Sequence, residues 1–114
     1  MRLAFLIAAA FAAIALSGCL GNEVSIAGQG GAVGTKTKTL DCGGTGSVAV
    51  GEQGGGTFIV RVYDAENNKI HQSGGFGGGQ SATGGSLTGI PGTWTLEVDF
   101  GAGYGGQYAV TLSC

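Results

Sequence analysis

Basic side chains, histidine and helical periodicity are all scarce in this sequence, and each scarcity removes a class of function. Lysine and arginine together number 5 against 7 aspartates and glutamates, for a formal net charge of −2. Nucleic-acid surfaces concentrate positive charge, so nucleic acid is not an expected partner. His71 is the single histidine, and the 3 cysteines are the distant Cys19, Cys42 and Cys114. Zinc sites need cysteine and histidine at close spacing, so no metal ligand set and no cofactor is expected. A phosphate-cradling loop needs Lys-Ser or Lys-Thr after its glycines and a strand–helix frame; the run around Phe76, "GGFGGG", has neither. No apolar run is long enough for a permanent membrane span. The longest, Leu3 to Leu16, covers about two-thirds of the roughly 20 helical residues that a bilayer core requires.

That run is informative in another way. Arg2 supplies one positive charge, Leu3 to Leu16 are only Leu, Ala, Phe and Ile, and small residues follow. This is the three-part pattern of an export signal. Its exit reads Leu16-Ser17-Gly18-Cys19 and resembles the lipobox of bacterial and archaeal lipoproteins. The resemblance implies that the Cys19 thiol takes up a diacylglyceryl group in thioether linkage and that the leader is cut between Gly18 and Cys19. Leu16 would be read as a bulky apolar side chain, while Ser17 and Gly18 leave room for the backbone in the protease. Two acyl chains on one cysteine form the double hydrophobic anchor that stable attachment needs. The mature protein is therefore expected on the extracytoplasmic face of a cell membrane, in the cell envelope or at the cell surface.

On this reading residues 1–18 are the signal peptide, 19–34 the lipidated cysteine and a glycine-rich tether, and 35–114 the folded domain. In "LGNEVSIAGQGGAVG" Gly, Gln and Asn dominate, and only Val24, Ile26 and Val33 could pack. It reads as a flexible arm that lifts the domain off the lipid, with a short docked strand over Glu23 to Ala27 as the alternative. With Cys19 taken by lipid, Cys42 and Cys114 remain, and an oxidising compartment favours their pairing. Closing a loop of roughly seventy residues is worth about 4 kcal/mol in unfolded-state entropy. In a domain this small that is a large share of the stability.

From Thr35 onward the pattern has period two. In "TWTLEVDF" Trp94, Leu96, Val98 and Phe100 share one face, and Thr93, Thr95, Glu97 and Asp99 the other. That is a half-buried strand. "QYAVTLSC" puts Tyr108, Val110, Leu112 and Cys114 inside and Ala109, Thr111 and Ser113 outside. "TFIVRVYD" puts Phe58, Val60 and Val62 inside, with Ile59, Arg61 and Tyr63 on the other face. Val48 and Val50 point inward in "SVAVGE", and Leu40 shares a face with Cys42, so both cysteines fall on inward faces. Glycine clusters about ten residues apart suit turns between short strands. "DAENNK", Asp64 to Lys69, is a turn in which Asn67 and Asn68 tolerate left-handed backbone, and it joins the Phe58 strand to a short "KIHQ" strand as a hairpin. The expected class is all-β: a small antiparallel, jelly-roll-like β-sandwich with one disulfide, preceded by a cleaved signal helix.

Gly92, Thr93, Trp94, Leu96 and Val98, followed after a loop by Gly106, Tyr108, Val110 and Leu112, resemble the paired strands of prepeptidase C-terminal and P-domain-type jelly-roll modules. The likeness covers about half of the mature chain. It implies an accessory sandwich and carries over no catalytic residue, and the chain departs from the pattern in having no protease attached.

Catalysis is not expected. His71 lies in a polar, glycine-flanked stretch where an exposed imidazole is the simple expectation, and nothing in the spacing nominates Ser73 or Ser81 as its nucleophile. Glu97 and Asp99 share a strand face and could act as acid and base, or hold Ca²⁺ with Asp64 or Glu66. No Asp-x-Asp-x-Asp-Gly loop accompanies them, and a solvated strand surface explains them better. Trp94 alternates with Leu96 and Val98, as a core residue does. Phe76 and Tyr104, set among glycines, suit either a ligand contact or a plug closing the sandwich end, and Tyr63 is the third candidate contact. Two functions remain: a non-enzymatic, lipid-anchored module acting on an envelope protein partner, or a lipoprotein that binds a glycan or small ligand through Phe76, Tyr104 and Tyr63.

Overall fold

Every second side chain along the strands that hold Val60, Trp94 and Leu112 is apolar, so a single sheet would leave one apolar face wet; two sheets cover each other instead. The computed structural model describes residues 22–76, 81–83 and 86–114. The leader, the Leu16–Cys19 motif and the expected signal helix lie outside the described residues. In chain order the strands are β1 (Glu23–Gln29), β2 (Thr35–Cys42), β3 (Thr45–Glu52), β4 (Phe58–Tyr63), β5 (Lys69–Phe76), β6 (Ser81–Thr83), β7 (Leu87–Thr88), β8 (Gly92–Asp99) and β9 (Gln107–Ser113). One sheet has the order β1-β9-β3-β6, with β7 also pairing β3, and the other the order β2-β8-β4-β5. All pairings are antiparallel, and no helix occurs among the described residues. The all-β sandwich expected from the alternation is what forms.

The inward phase is as read. Trp94, Leu96, Val98, Val60, Val62, Val110 and Leu112 are each 0 % exposed, and burial of such side chains contributes roughly 1.5–3 kcal/mol apiece. Trp94 keeps its polar atom satisfied by donating Nε1–H to the Ile90 carbonyl at 2.8 Å. The outward phase of β9 differs from expectation, because Ala109 and Thr111 are buried. β9 lies between β1 and β3, and the Thr111 hydroxyl sits 2.8 Å from that of Ser25. Short side chains on such a central strand are shielded by neighbours on both sides.

The arm reading of residues 20–34 is corrected over most of its length. β1 pairs with β9 from Glu23 opposite Ser113 to Gln29 opposite Gln107, and Ile26 joins the core. A Cβ on Gly28 would stand 2.5 Å from the Tyr108 hydroxyl, so this glycine provides room for a ring where composition suggested a loose chain. Buried Ala32 bridges Tyr104 through two backbone hydrogen bonds of 3.1 and 2.8 Å. β5 likewise runs past "KIHQ" to Phe76, because β4 offers it a partner along its length, with irregularities between Phe58 and Val60 and between Val62 and Tyr63.

Cys42 and Cys114 are bonded with Cα atoms 5.3 Å apart and a sequence separation of 72. Cys42 ends an edge strand of one sheet and Cys114 follows a central strand of the other, so the bond clasps the two sheets at one end. Space there is tight: a Cβ on Gly46 would meet the Ser113 carbonyl at 2.6 Å and the Cys114 sulfur at 3.0 Å.

At the same end the β4–β5 turn is organised by Asp64. Its Oδ1 accepts the backbone N–H groups of Glu66 (3.0 Å) and Asn68 (2.9 Å), and its Oδ2 those of Ile90 (3.0 Å) and the Asn68 amide (3.1 Å). Asn67 takes the left-handed backbone, φ 64°, as its type permits. The Ile90 N–H first, and then the Asn68 donors, hold the Asp64 carboxyl down from 3.8 to about 2.

Replacing Cys42 and Cys114 together by alanine is expected to cost about 4 kcal/mol, read as a lower urea midpoint of the folded domain; an unchanged midpoint contradicts the clasp. Asp64 has a pH signature. Because its folded pKa is depressed, its contribution is complete above 3.8 and is lost as pH falls through about 2. Asp64→Asn should remove that part of the acid sensitivity, and equal slopes of stability against pH for the two proteins in this window would refute the assignment.

Candidate interaction face

With Trp94, Leu96 and Val98 turned inward, β8 sends Thr93, Thr95, Glu97 and Asp99 outward, and strand pairing sets what stands beside them. Thr35, Thr37, Thr39 and Asp41 of β2 lie opposite Asp99, Glu97, Thr95 and Thr93. On the other side Ile59, Arg61 and Tyr63 of β4 lie opposite Asp99, Glu97 and Thr95. Gln72 of β5 lies opposite Arg61. The result is a polar sheet face bordered by threonine hydroxyls. At its centre Arg61 Nη1 is 2.8 Å from Glu97 and 3.5 Å from Asp99, and the Tyr63 hydroxyl is 3.5 Å from Glu97. The side chains of Arg61, Glu97 and Asp99 are 22 %, 21 % and 32 % exposed, so the trio is reachable yet held. The Glu97 hydrogen bond raises the Arg61 pKa and keeps the guanidinium charged. A cleft of about 340 Å³ opens beside this face, lined in part by Ile59, Asp99, Phe100 and Ala102.

The carboxylates weighed as an acid–base or Ca²⁺ set are engaged otherwise. Glu97 and Asp99 share Arg61, and both Asp64 oxygens serve the turn at the clasped end. Among the described residues no group of three or more His, Cys, Asp or Glu side chains is placed to hold a metal. His71 is half-buried, where an exposed ring was the expectation, because it lies opposite Val62 on the inner side of β5. Its Nε2 is 3.0 Å from the Ser73 hydroxyl, and burial lowers its pKa, favouring the neutral ring. The pair satisfies its own polar groups; among the described residues no carboxylate bonds the second ring nitrogen to orient it as a base.

The three candidate aromatics separate. Tyr63 stands on the polar face. The Phe76 backbone pairs with Phe58, and its side chain lies outside the described residues. Tyr104 is 2 % exposed and is a plug, so its reading as a ligand contact is withdrawn. It closes the end opposite the disulfide within a group of rings: Phe58 at 5.1 Å, Tyr108 at 5.9 Å and Phe100 at 6.1 Å between centroids. Its hydroxyl donates to Glu52 Oε1 at 2.6 Å, and the Gly54 N–H donates to the same carboxylate. Burial first, and then the Glu52 bond, push the Tyr104 pKa up to about 12. Sequence reasoning missed Glu52, although the phase that turns Val48 and Val50 inward turns residue 52 inward as well.

No family model matches the chain, and no curated protein matches it in sequence. Solved structures match it in fold. PliG of Aeromonas hydrophila, a periplasmic lysozyme inhibitor of g-type lysozyme, aligns with a TM-score of 0.51 and 13 % identity over 82 % of this chain and 86 % of that one. The CBM36-1 domain of a multidomain xylanase from the hindgut metagenome of Trinervitermes trinervoides aligns with a TM-score of 0.50 and 13 % identity over 82 % and 98 %. The chain has the fold of a β-sandwich module. A pre-peptidase C-terminal domain of collagenase from Bacillus anthracis also matches, at a TM-score of 0.44 and 17 % identity over 82 % and 87 %, and at that score it does not separate one sandwich topology from another. Identities this low speak to fold alone.

Tyr104→Phe would deprive a buried carboxylate of a donor, at an expected cost of about 1–3 kcal/mol, whereas Tyr63→Phe on the open face should stay within about 0.5 kcal/mol of the parent. Urea denaturation of the two variants side by side measures the contrast; equal midpoints would contradict the plug.

Proposed function

We propose that the protein is a non-enzymatic, extracytoplasmic interaction module, anchored by diacylglyceryl on Cys19, that binds an envelope protein through the outer face of the β2-β8-β4-β5 sheet. The observation that carries this reading is the Arg61–Glu97–Asp99 trio with Tyr63 at the centre of that face. Charges fixed in position on a stiff sheet select a partner by complementarity and suppress wrong ones. Arginine and tyrosine are residue types that protein interfaces favour. The disulfide fits an oxidising compartment, and the export leader ending in Leu16-Ser17-Gly18-Cys19 supplies the route to it. PliG, a periplasmic lysozyme inhibitor, shows that a sandwich of this fold can act by contact with another protein, and this reading is compatible with that example. With Tyr104 in the core, Tyr63 is the candidate aromatic that the described side chains place on the surface, so among the described residues the glycan reading is the weaker of the two.

A photo-crosslinking residue at exposed Thr37 should capture one envelope protein in intact cells, and the adduct should vanish with Arg61→Ala while the same residue placed at Gln29 captures nothing. Glycan-array binding that disappears in Tyr63→Ala, with no protein adduct, would replace this reading by the carbohydrate one. Cys19→Ser should leave the precursor uncut or release a soluble form; recovery in the detergent phase at the full processed mass would refute the anchor.

A further inference from the structure

β1 begins at Glu23, so only Leu20, Gly21 and Asn22 separate it from Cys19. At no more than about 3.6 Å per residue, the chain from Cys19 to Asn22 reaches about 11 Å. Asn22 is itself pinned to the body: its carbonyl accepts the Cys114 N–H at 2.8 Å, and its side-chain amide donates to the Asp41 carbonyl at 2.9 Å. Everything at this end of the sandwich is therefore close to the point where the link from Cys19 joins the body: the disulfide, the turn after Cys42, and the 89–92 loop, whose Gly89 N–H donates to Gly44 at 3.0 Å. The described residues expose two large apolar side chains, and they lie at opposite ends. Ile90, 41 % exposed, belongs to that loop, and Val33, 64 % exposed, follows the Ala32–Tyr104 bridge at the plugged end.

Resting on the reading of Cys19 as lipidated, we propose that the disulfide-bearing end is the membrane-facing end of the domain, with Ile90 in contact with the lipid interface and Val33 directed away from it. The link imposes this contact. Charge does not, since Glu23, Asp41, Asp64 and Glu66 at the same end outweigh Lys69 and would oppose an anionic bilayer, and neutral lipid is the appropriate surface. An arm of the length first expected, running from Cys19 to Gly34, would have left orientation free; docking of β1 removes most of that reach.

The test uses the acylated full chain reconstituted in phosphatidylcholine vesicles that contain brominated lipid, with Ile90→Trp and Val33→Trp each compared with the parent, whose Trp94 sets the background. Quenching of the added indole should be several-fold stronger in Ile90→Trp than in Val33→Trp. Inserting about ten Gly and Ser residues after Leu20 should abolish the difference while vesicle flotation persists. Equal quenching in protein that floats and carries acyl mass overturns the orientation and leaves the anchor standing. Protein that lacks acyl mass and does not float overturns the anchor, and the orientation with it.

Discussion

Two central strands, β8 in one sheet and β9 in the other, carry the contact on which the rest of the molecule depends. Trp94, Leu96 and Val98 come from one, and Tyr108, Val110 and Leu112 from the other, all in a single buried cluster. A strand has only two faces, so committing these side chains inward commits the alternate ones outward. The Glu97–Asp99 pair is on the surface because Leu96 and Val98 are not. Register then brings Arg61 beside it from β4, and the polar face follows from the core by geometry.

The two open ends are closed by different chemistry. At one, a covalent bond joins the sheets next to Trp94, and close approach of Gly46 and the Asp64 turn fill the remaining space. At the other, rings pack on rings, and the inward carboxylate of Glu52 is tolerated because the Tyr104 hydroxyl and the Gly54 N–H reach it. Buried polar groups of this kind are stable only when partnered. The open side is handled by charge: Lys36 and Lys38 stand on the core-facing side of β2, opposite Val98 and Leu96, yet remain exposed. Lys36 donates to the Tyr108 hydroxyl at 3.3 Å. Inward-pointing charge on an edge strand discourages pairing with another chain.

What was legible in the sequence was whatever depends on near neighbours. Val60 and Val62, Trp94 to Val98, and the Asn67 turn reveal themselves within a few residues, and Cys42 and Cys114, the two cysteines left over from the Leu16–Cys19 motif, share the inward phase that their bond requires. What was illegible depends on distant ones. Ser25 meets Thr111 across 86 residues and Tyr104 meets Glu52 across 52, so the local pattern could offer the docking of β1 and the burial of Tyr104 only as alternatives and could not choose them. "TKTKT" is polar at every position and has no visible phase until β8 supplies one. Glycine misleads for the same reason: at Gly28 its value is the room it leaves for a tyrosine that arrives from the far end of the chain.

The proposed anchor would be coupled to the body through β1. A strand locked into the sheet transmits its direction to the whole sandwich, whereas a loose arm transmits only its length. On the proposed lipidation of Cys19, a link of about 11 Å would keep the anchored end from rolling freely beneath the domain, and the strands of both sheets would rise from the membrane. The Arg61 face would then be presented sideways, along the membrane plane, and the loops around Val33 and Tyr104 would project outward. In that orientation a partner for the face would have to extend up beside the bilayer, as the proposed envelope-resident protein would.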